Sequence, residues 1–209
     1  MEPQQDSGAG TAGAGTERIA AFSDGVIAII ITIMVLELKL PDAAAKGDIW
    51  ANFLSPLAPK IAVYALSFLI VGAMWINHHQ LLAVVKRPTP LLMWLNLLLL
   101  FLLSLIPLAT GFLGEHPLLA RAIMFYAVNM ALCSAAFGLL RYSIGWMPDH
   151  DRDHVQLRHT TLLRSVTATL LNAIAALTAI VSPVAALALL VLAPILFNIS
   201  MLLGRERPA

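Results

Sequence analysis

A chain of 209 residues, 59% hydrophobic and 12% charged, carries more apolar surface than a soluble domain of that size can hide. Lipid is therefore the solvent for most of it, and the expected fold is all-α and membrane-integral. A formal net charge of +1 leaves no basic stripe to neutralise phosphates, which argues against nucleic acid as a partner. The lone Cys133 excludes an intrachain disulfide and a multi-cysteine metal site.

Residues 1–17 (MEPQQDSGAGTAGAGTE) are rich in Gly, Ala, Ser and Thr and have neither the basic start nor the apolar core of a signal peptide. They read as a disordered cytoplasmic tail. A membrane helix needs about 20 apolar residues, and six segments after Arg18 qualify. The first runs from Ile19 to Leu40 and stops at Pro41; the second, Leu54 to Leu82, is long enough to tilt. The third, Pro90 to Leu113, contains Pro107, and the fourth runs from Leu118 to Leu140. The fifth and sixth, Leu162 to Val181 and Val184 to Leu203, are separated only by Ser182-Pro183, a tight hairpin. Residues 18–205 thus form one six-helix membrane domain, followed by a short tail at 206–209. Only Asp42–Trp50 and Gly145–His159 are sizeable loops, and Trp50, Trp94 and Trp146 fall near helix ends, where an interfacial belt places them.

Basic residues set the orientation. With the N-terminus cytoplasmic, that side holds nine (Arg18, Lys86, Arg87, Arg141, Arg152, Arg158, Arg164, Arg205 and Arg207), and the other side holds four (Lys39, Lys46, Lys60 and Arg121). Both termini are therefore expected in the cytoplasm, with the chain in the cell membrane.

Ionisable groups inside a span are costly, so each is a functional candidate. Asp24 lies about one turn inside the first helix. At about 100° per residue, Ile29, Ile33 and Leu36 fall within roughly 60° of one another, flanked by Thr32, whereas Asp24 points about 140° away from Ile29. An acid on that face looks for a partner on a neighbouring helix. The second helix offers WINHHQ, with Asn77, His78 and His79 at the same membrane level as Ser23 and Asp24. Asp24, Ser23, Arg18 and one of these histidines can satisfy one another as a packing latch. A proton relay through Asp24 and His78 is the sharper alternative. Adjacent histidines diverge by about 100° on a helix, so they make a poor metal pair. His150 and His154, beside Asp149, Asp151 and Asp153, have ligand-like spacing in what reads as a solvated loop. Asn96 and Asn129 read as interhelical hydrogen-bond glue. Glu37 and Asp42 fall near the outer end, where acids concentrate cations or mark the interface. GxSxG, HExxH and the P-loop are absent, and the GAGTAG match lies in the tail with no strand before it, so no enzyme is expected.

Arg18-x-x-x-Phe22-Ser23-Asp24 followed by GVIAIIITIMVLEL, then YALSFLIVGAMWINHHQL and the Asn-bearing MWLNLLLLFLLSLIPLATGF, resembles the transmembrane protein 175 family of lysosomal potassium channels and their prokaryotic homologues. The resemblance implies a potassium-permeable channel without a TVGYG filter. It implies a pore lined by the first helix and, for a chain with one copy of the motif, a homotetramer in the membrane lipid. It places the constriction at Ile29, then Thr32 or Ile33, then Leu36, the stripe that the helical wheel groups opposite Asp24. Monovalent cations, potassium foremost, are then what the protein carries, and no cofactor is implied. A secondary or proton-coupled transporter using Asp24 and His78 is the rival, although no inverted repeat is visible; a non-conducting membrane scaffold is a third class.

Overall fold

The computed structural model of the protein describes residues 8–40, 49–145 and 154–203. Asp42, Lys46, Trp146, Asp149, His150, Asp151, Arg152, Asp153, Arg205 and Arg207 lie outside the described residues, as do residues 1–7 and 206–209.

Every regular element within the described residues is helical. Helix α1 spans Gly8–Ile33 and tightens into a 3-10 turn at Met34–Glu37. A π-helical turn at Trp50–Leu54 leads into α2, Ser55–Ala83. Then come α3 (Pro90–Ser104), α4 (Ile106–Glu115), α5 (Ala120–Gly145), α6 (His154–Thr178) and α7 (Pro183–Leu203).

Local chemistry explains most boundaries. Thr89 is extended, its hydroxyl accepts from the Leu92 N–H at 3.2 Å, and Pro90 follows at a first-turn position where a missing N–H costs nothing. Ser182 does the same for α7, accepting from the Ala185 N–H at 3.3 Å. Pro107 cannot donate to the carbonyl four residues back, so the third span breaks at Leu105, whose N–H bonds Leu102 O at 3.3 Å instead. The span then resumes and runs to Glu115.

Two sequence expectations are corrected. Residues 8–17, expected in a disordered tail, open α1. Extending an existing helix adds one hydrogen bond per residue without a new nucleation cost, and this turn has something to pack on. Thr16 is buried, and a Cβ on Gly15 would stand 3.4 Å from Pro88 Cγ. Likewise α6 begins at His154, inside the stretch read as a loop.

Among the described residues four helices are long and apolar enough to cross a membrane: Gly15–Glu37, Asn52–Ala83, Pro90–Glu115 and Ala120–Gly145. Leu162–Thr178 and Pro183–Leu192 are shorter apolar helices joined by the turn at Ser182. The chain is a multi-pass membrane protein, all-helical among the described residues.

Helix α5 is the most enclosed of the four, packing against α3, α4, α6 and α7 through residues such as Ile123, Ala127 and Leu140. Cys133, read as a small core hydrophobe, is buried and free. Three buried hydroxyls tie the helices near α5 together: Thr110 on α4 donates to Ser67 on α2 at 2.8 Å, and Ser67 pairs with Tyr126 on α5 at 3.0 Å. Removing one hydroxyl from this set costs about 0.5–1.5 kcal/mol. Tyr126→Phe is therefore expected to lower the thermal unfolding temperature in detergent modestly while leaving helix content by circular dichroism unchanged.

Candidate functional site

Helix α1 has two unlike faces. Ser23, Ile27, Ile30 and Met34 follow the i, i+4, i+7, i+11 spacing of one stripe and are all buried. Phe22, Ile29, Ile33 and Leu36 follow a second stripe and stand 55%, 61%, 40% and 76% exposed. Thr32 is exposed beside them, its hydroxyl donating back to the Ile29 carbonyl at 2.9 Å. That bond uses the hydroxyl proton and leaves the oxygen lone pairs available as acceptors.

The polar residues expected to form one latch separate into two. Asn96 on α3 is the centre of the buried one. Its amide donates to Ser23 Oγ at 2.9 Å, and its Oδ1 lies 2.7 Å from His78 Nε2. A carboxamide oxygen only accepts, so His78 carries its proton on Nε2 here. Ser23 in turn donates to the Ile19 carbonyl at 2.8 Å. The chain α2–α3–α1 is closed by a backbone acceptor, with His78 Nδ1 buried and unpartnered.

The second latch is half-exposed. Asp24, about 100° around α1 from Ser23, accepts from Trp75 Nε1 at 2.8 Å and lies 3.8 Å from His79 Nδ1. The bonds of Asp24 and of His78 therefore run to different partners. Sequence reasoning treated Trp75 as part of a motif without giving it a role; its i, i+4 spacing from His79 was the available signal, since the two share a face.

Asn77 belongs to neither latch. It donates to Ala73 O at 2.7 Å and accepts from Arg141 Nη2 at 3.2 Å. Arg141 also reaches Ser165 Oγ at 3.3 Å, and its guanidinium sits 4.5 Å over the Phe137 ring. This arginine, counted in the sequence only as an orientation charge, binds α5 to α2 and α6 beside an apolar cavity of about 70 Å³. Arg18 is exposed and, with Phe22, borders an open groove between α1 and α3.

At the other end of α1, Lys39 Nζ lies 2.8 Å from Glu115 Oε1. The Glu115 carboxylate raises the Lys39 pKa above its ordinary value. A raised ammonium pKa means that the lysine is charged at neutral pH and that its side of the pair is lost as pH rises through that pKa. Glu37 turns onto α4, against Gly111. Among the described residues no group of three or more His, Cys, Asp or Glu is placed to hold a metal ion.

Comparison with known proteins bears on this arrangement. Residues 18–107 match the family described as endosomal/lysosomal potassium channel TMEM175. A potassium channel of Chryseobacterium sp. is 44% identical over 123 residues, which are 59% of this chain and 62% of that protein. The endosomal/lysosomal proton channel TMEM175 of Gallus gallus is 35% identical over 106 residues, 47% of this chain and 21% of that one. The chain thus spans less than two thirds of the length of these relatives. The crystal structure of a lysosomal potassium-selective channel TMEM175 homologue from Chamaesiphon minutus superposes with a TM-score of 0.78 at 27% identity, covering 90% of this chain and 98% of that one. The family is one of channels, not of enzymes.

Asn96→Ala leaves His78 Nε2 buried without its acceptor, while the Ser23 hydroxyl keeps the Ile19 carbonyl, so a loss of about 1–3 kcal/mol in unfolding free energy is expected. Chemical denaturation in detergent micelles measures it.

Proposed function

We propose, on the match of residues 18–107 to the TMEM175 family and on a fold shared across nine-tenths of the chain, that this protein is a potassium-permeable ion channel whose α1 helices line a central pore. Four copies surround one axis, the closed symmetry that lets a single helix per subunit enclose a pathway. The chain crosses the cell membrane six times, the α6–α7 hairpin supplying the last two spans, and both termini are cytoplasmic on the basic-residue count.

The observation that carries the reading is the apolar stripe of α1, exposed at Ile29, Ile33 and Leu36 while the opposite face is packed and hydrogen-bonded. Around a four-fold axis those side chains form stacked apolar rings, with Ile29 at the constriction. A narrow apolar ring gates by dewetting and makes a passing ion shed water. Potassium surrenders its hydration shell more readily than sodium, and the Thr32 oxygens, with their lone pairs free, replace part of what is lost. Potassium is therefore preferred over sodium, more weakly than by a carbonyl-lined filter. Ser23, Asp24, His78 and His79 serve to anchor and orient α1, Asn77 extends that support to α5, and Arg18 and Phe22 belong to the same structural motif at the groove beside α3; none of them carries the ion.

Purified protein in liposomes with a potassium gradient is expected to pass potassium faster than sodium, without saturation or dependence on a second gradient. Ile29→Asn removes the dewetting barrier, and about 1.4 kcal/mol of barrier corresponds to a tenfold rise in basal flux. Flux coupled to a proton gradient would establish a carrier instead. Absence of flux, together with a monomer on chemical crosslinking, would sink the pore reading, and an unaltered Ile29→Asn would return the stripe to the lipid.

A further inference from the structure

We propose that Glu37 is a positioning residue. Its side chain, seated in the notch that Gly111 leaves on α4, sets the rotation of the outer turn of α1 and with it the Leu36 ring; this rests on the pore reading above. The turn in question is the 3-10 segment Met34–Glu37. Its poorer hydrogen-bond geometry leaves it softer than the α-helix it extends, so something outside the helix must hold it.

The hold is visible on three sides. Met34 is completely buried beneath the turn. Glu37, one residue past Leu36, points away from the exposed stripe and lies along Gly111. A Cβ at Gly111 would stand 2.6 Å from Glu37 Oε2, 3.2 Å from its Cβ and 3.3 Å from its Cδ. Contact along the whole side chain, not at its tip alone, means that swinging the carboxylate aside does not make room for a methyl group. One turn further along α4, a Cβ at Gly114 would stand 3.5 Å from Lys60 Cα, so α2 packs there backbone to backbone. A void of about 10 Å³, the size of a single water, lies between Met34, Glu37, Lys60 and Thr110. Above it Lys60 Nζ donates to the Lys39 carbonyl at 2.9 Å, and Lys39 reaches Glu115. The chain leaving the stripe is thereby tied to α2 and α4 within three residues of Leu36.

These contacts give Glu37 a different task from attracting cations at the outer mouth. A peg in a notch transmits shape. Widening the peg's seat or filling it rotates the turn, and Leu36, adjacent in sequence, turns with it. The pair Glu37–Gly111 is then coupled. Filling the notch matters while the peg is present and ceases to matter once the peg is gone.

The test compares Gly111→Ala, Glu37→Ala and the double variant in the full chain reconstituted in liposomes, reading unitary potassium conductance and assembly. Gly111→Ala is expected to change conductance by about twofold or more, since the outer ring is displaced. The double variant is expected to conduct like Glu37→Ala alone, because the carboxylate that would stand 2.6 Å from the new methyl is gone and the remaining Cβ contact at 3.2 Å is relieved by a shift of a few tenths of an ångström. If Gly111→Ala does not assemble, recovery of assembly in the double variant is the same coupling. Wild-type conductance in Gly111→Ala, effects that add in the double variant, or assembly that Glu37→Ala does not recover would each overturn the proposal. A readout independent of ion flux keeps the pore reading separate: in a Cys133→Ser background, Glu37→Cys with Gly111→Cys is expected to crosslink within one subunit on oxidation, the Cβ separation being close to disulfide range. No crosslink removes the notch. A crosslink in a protein that carries no cation removes the pore and leaves the seat.

Discussion

The hydrogen-bond chain from His78 through Asn96 to Ser23 fixes the rotation of α1 about its own axis, and the rest of the arrangement depends on that rotation. In water, hydrophobic burial would choose which face of a helix turns inward. In lipid that preference vanishes, because a leucine is as well placed against an acyl chain as against a neighbouring helix. What remains is packing and the requirement that polar groups be satisfied. The Asn96 amide meets that requirement through Ser23, and with Ser23 turned toward it Ile27, Ile30 and Met34 face inward as well, leaving Ile29, Ile33 and Leu36 outside. One serine thereby decides which isoleucines are available to line a pathway.

The latches distribute unequally along α1. Toward the N-terminal end, Asp24 adds a half-exposed contact to Trp75 and His79, and the buried chain lies one residue away. Toward the C-terminal end the contacts are a close approach at Gly111 and the Lys39–Glu115 and Lys60–Lys39 links. Between them Ile27, Ile30 and Met34 pack one face of the helix and leave the opposite stripe bare. A helix packed along one face and bare along the other presents a surface whose chemistry can vary without disturbing the fold that carries it. Small residues, here glycines, do at the C-terminal end what hydrogen bonds do at the N-terminal one.

Much of this was legible in the sequence. Hydropathy located the four helices long and apolar enough to cross a membrane among the described residues, and helical geometry alone separates Asp24 from the Ile29 stripe. What the sequence concealed were partners. His78 and His79 are adjacent, and nothing local says that the first bonds α3 and the second faces Asp24; only the placement of Asn96 across from Ser23 decides it. Arg141 looked like one more cytoplasmic charge because a count of basic residues is blind to burial. Residues 8–17 looked unstructured because glycine lowers helix propensity, and Gly15 lies close to Pro88, far along the chain. The notch at Gly111 was equally hidden, since a glycine in an apolar helix announces flexibility or closeness with the same letter.

The direction of the buried chain has a further consequence. Each of its bonds points one way: His78 gives to Asn96, Asn96 gives to Ser23, and Ser23 gives to the Ile19 carbonyl. A proton wire works by every member handing on one proton and receiving another, and neither a carboxamide nitrogen nor a peptide carbonyl exchanges roles in that way without the amide turning over. The row of polar side chains crossing from α2 to α1 is therefore an insulator. It holds α1 in place and, as bonded here, hands no proton on from α2 to α1.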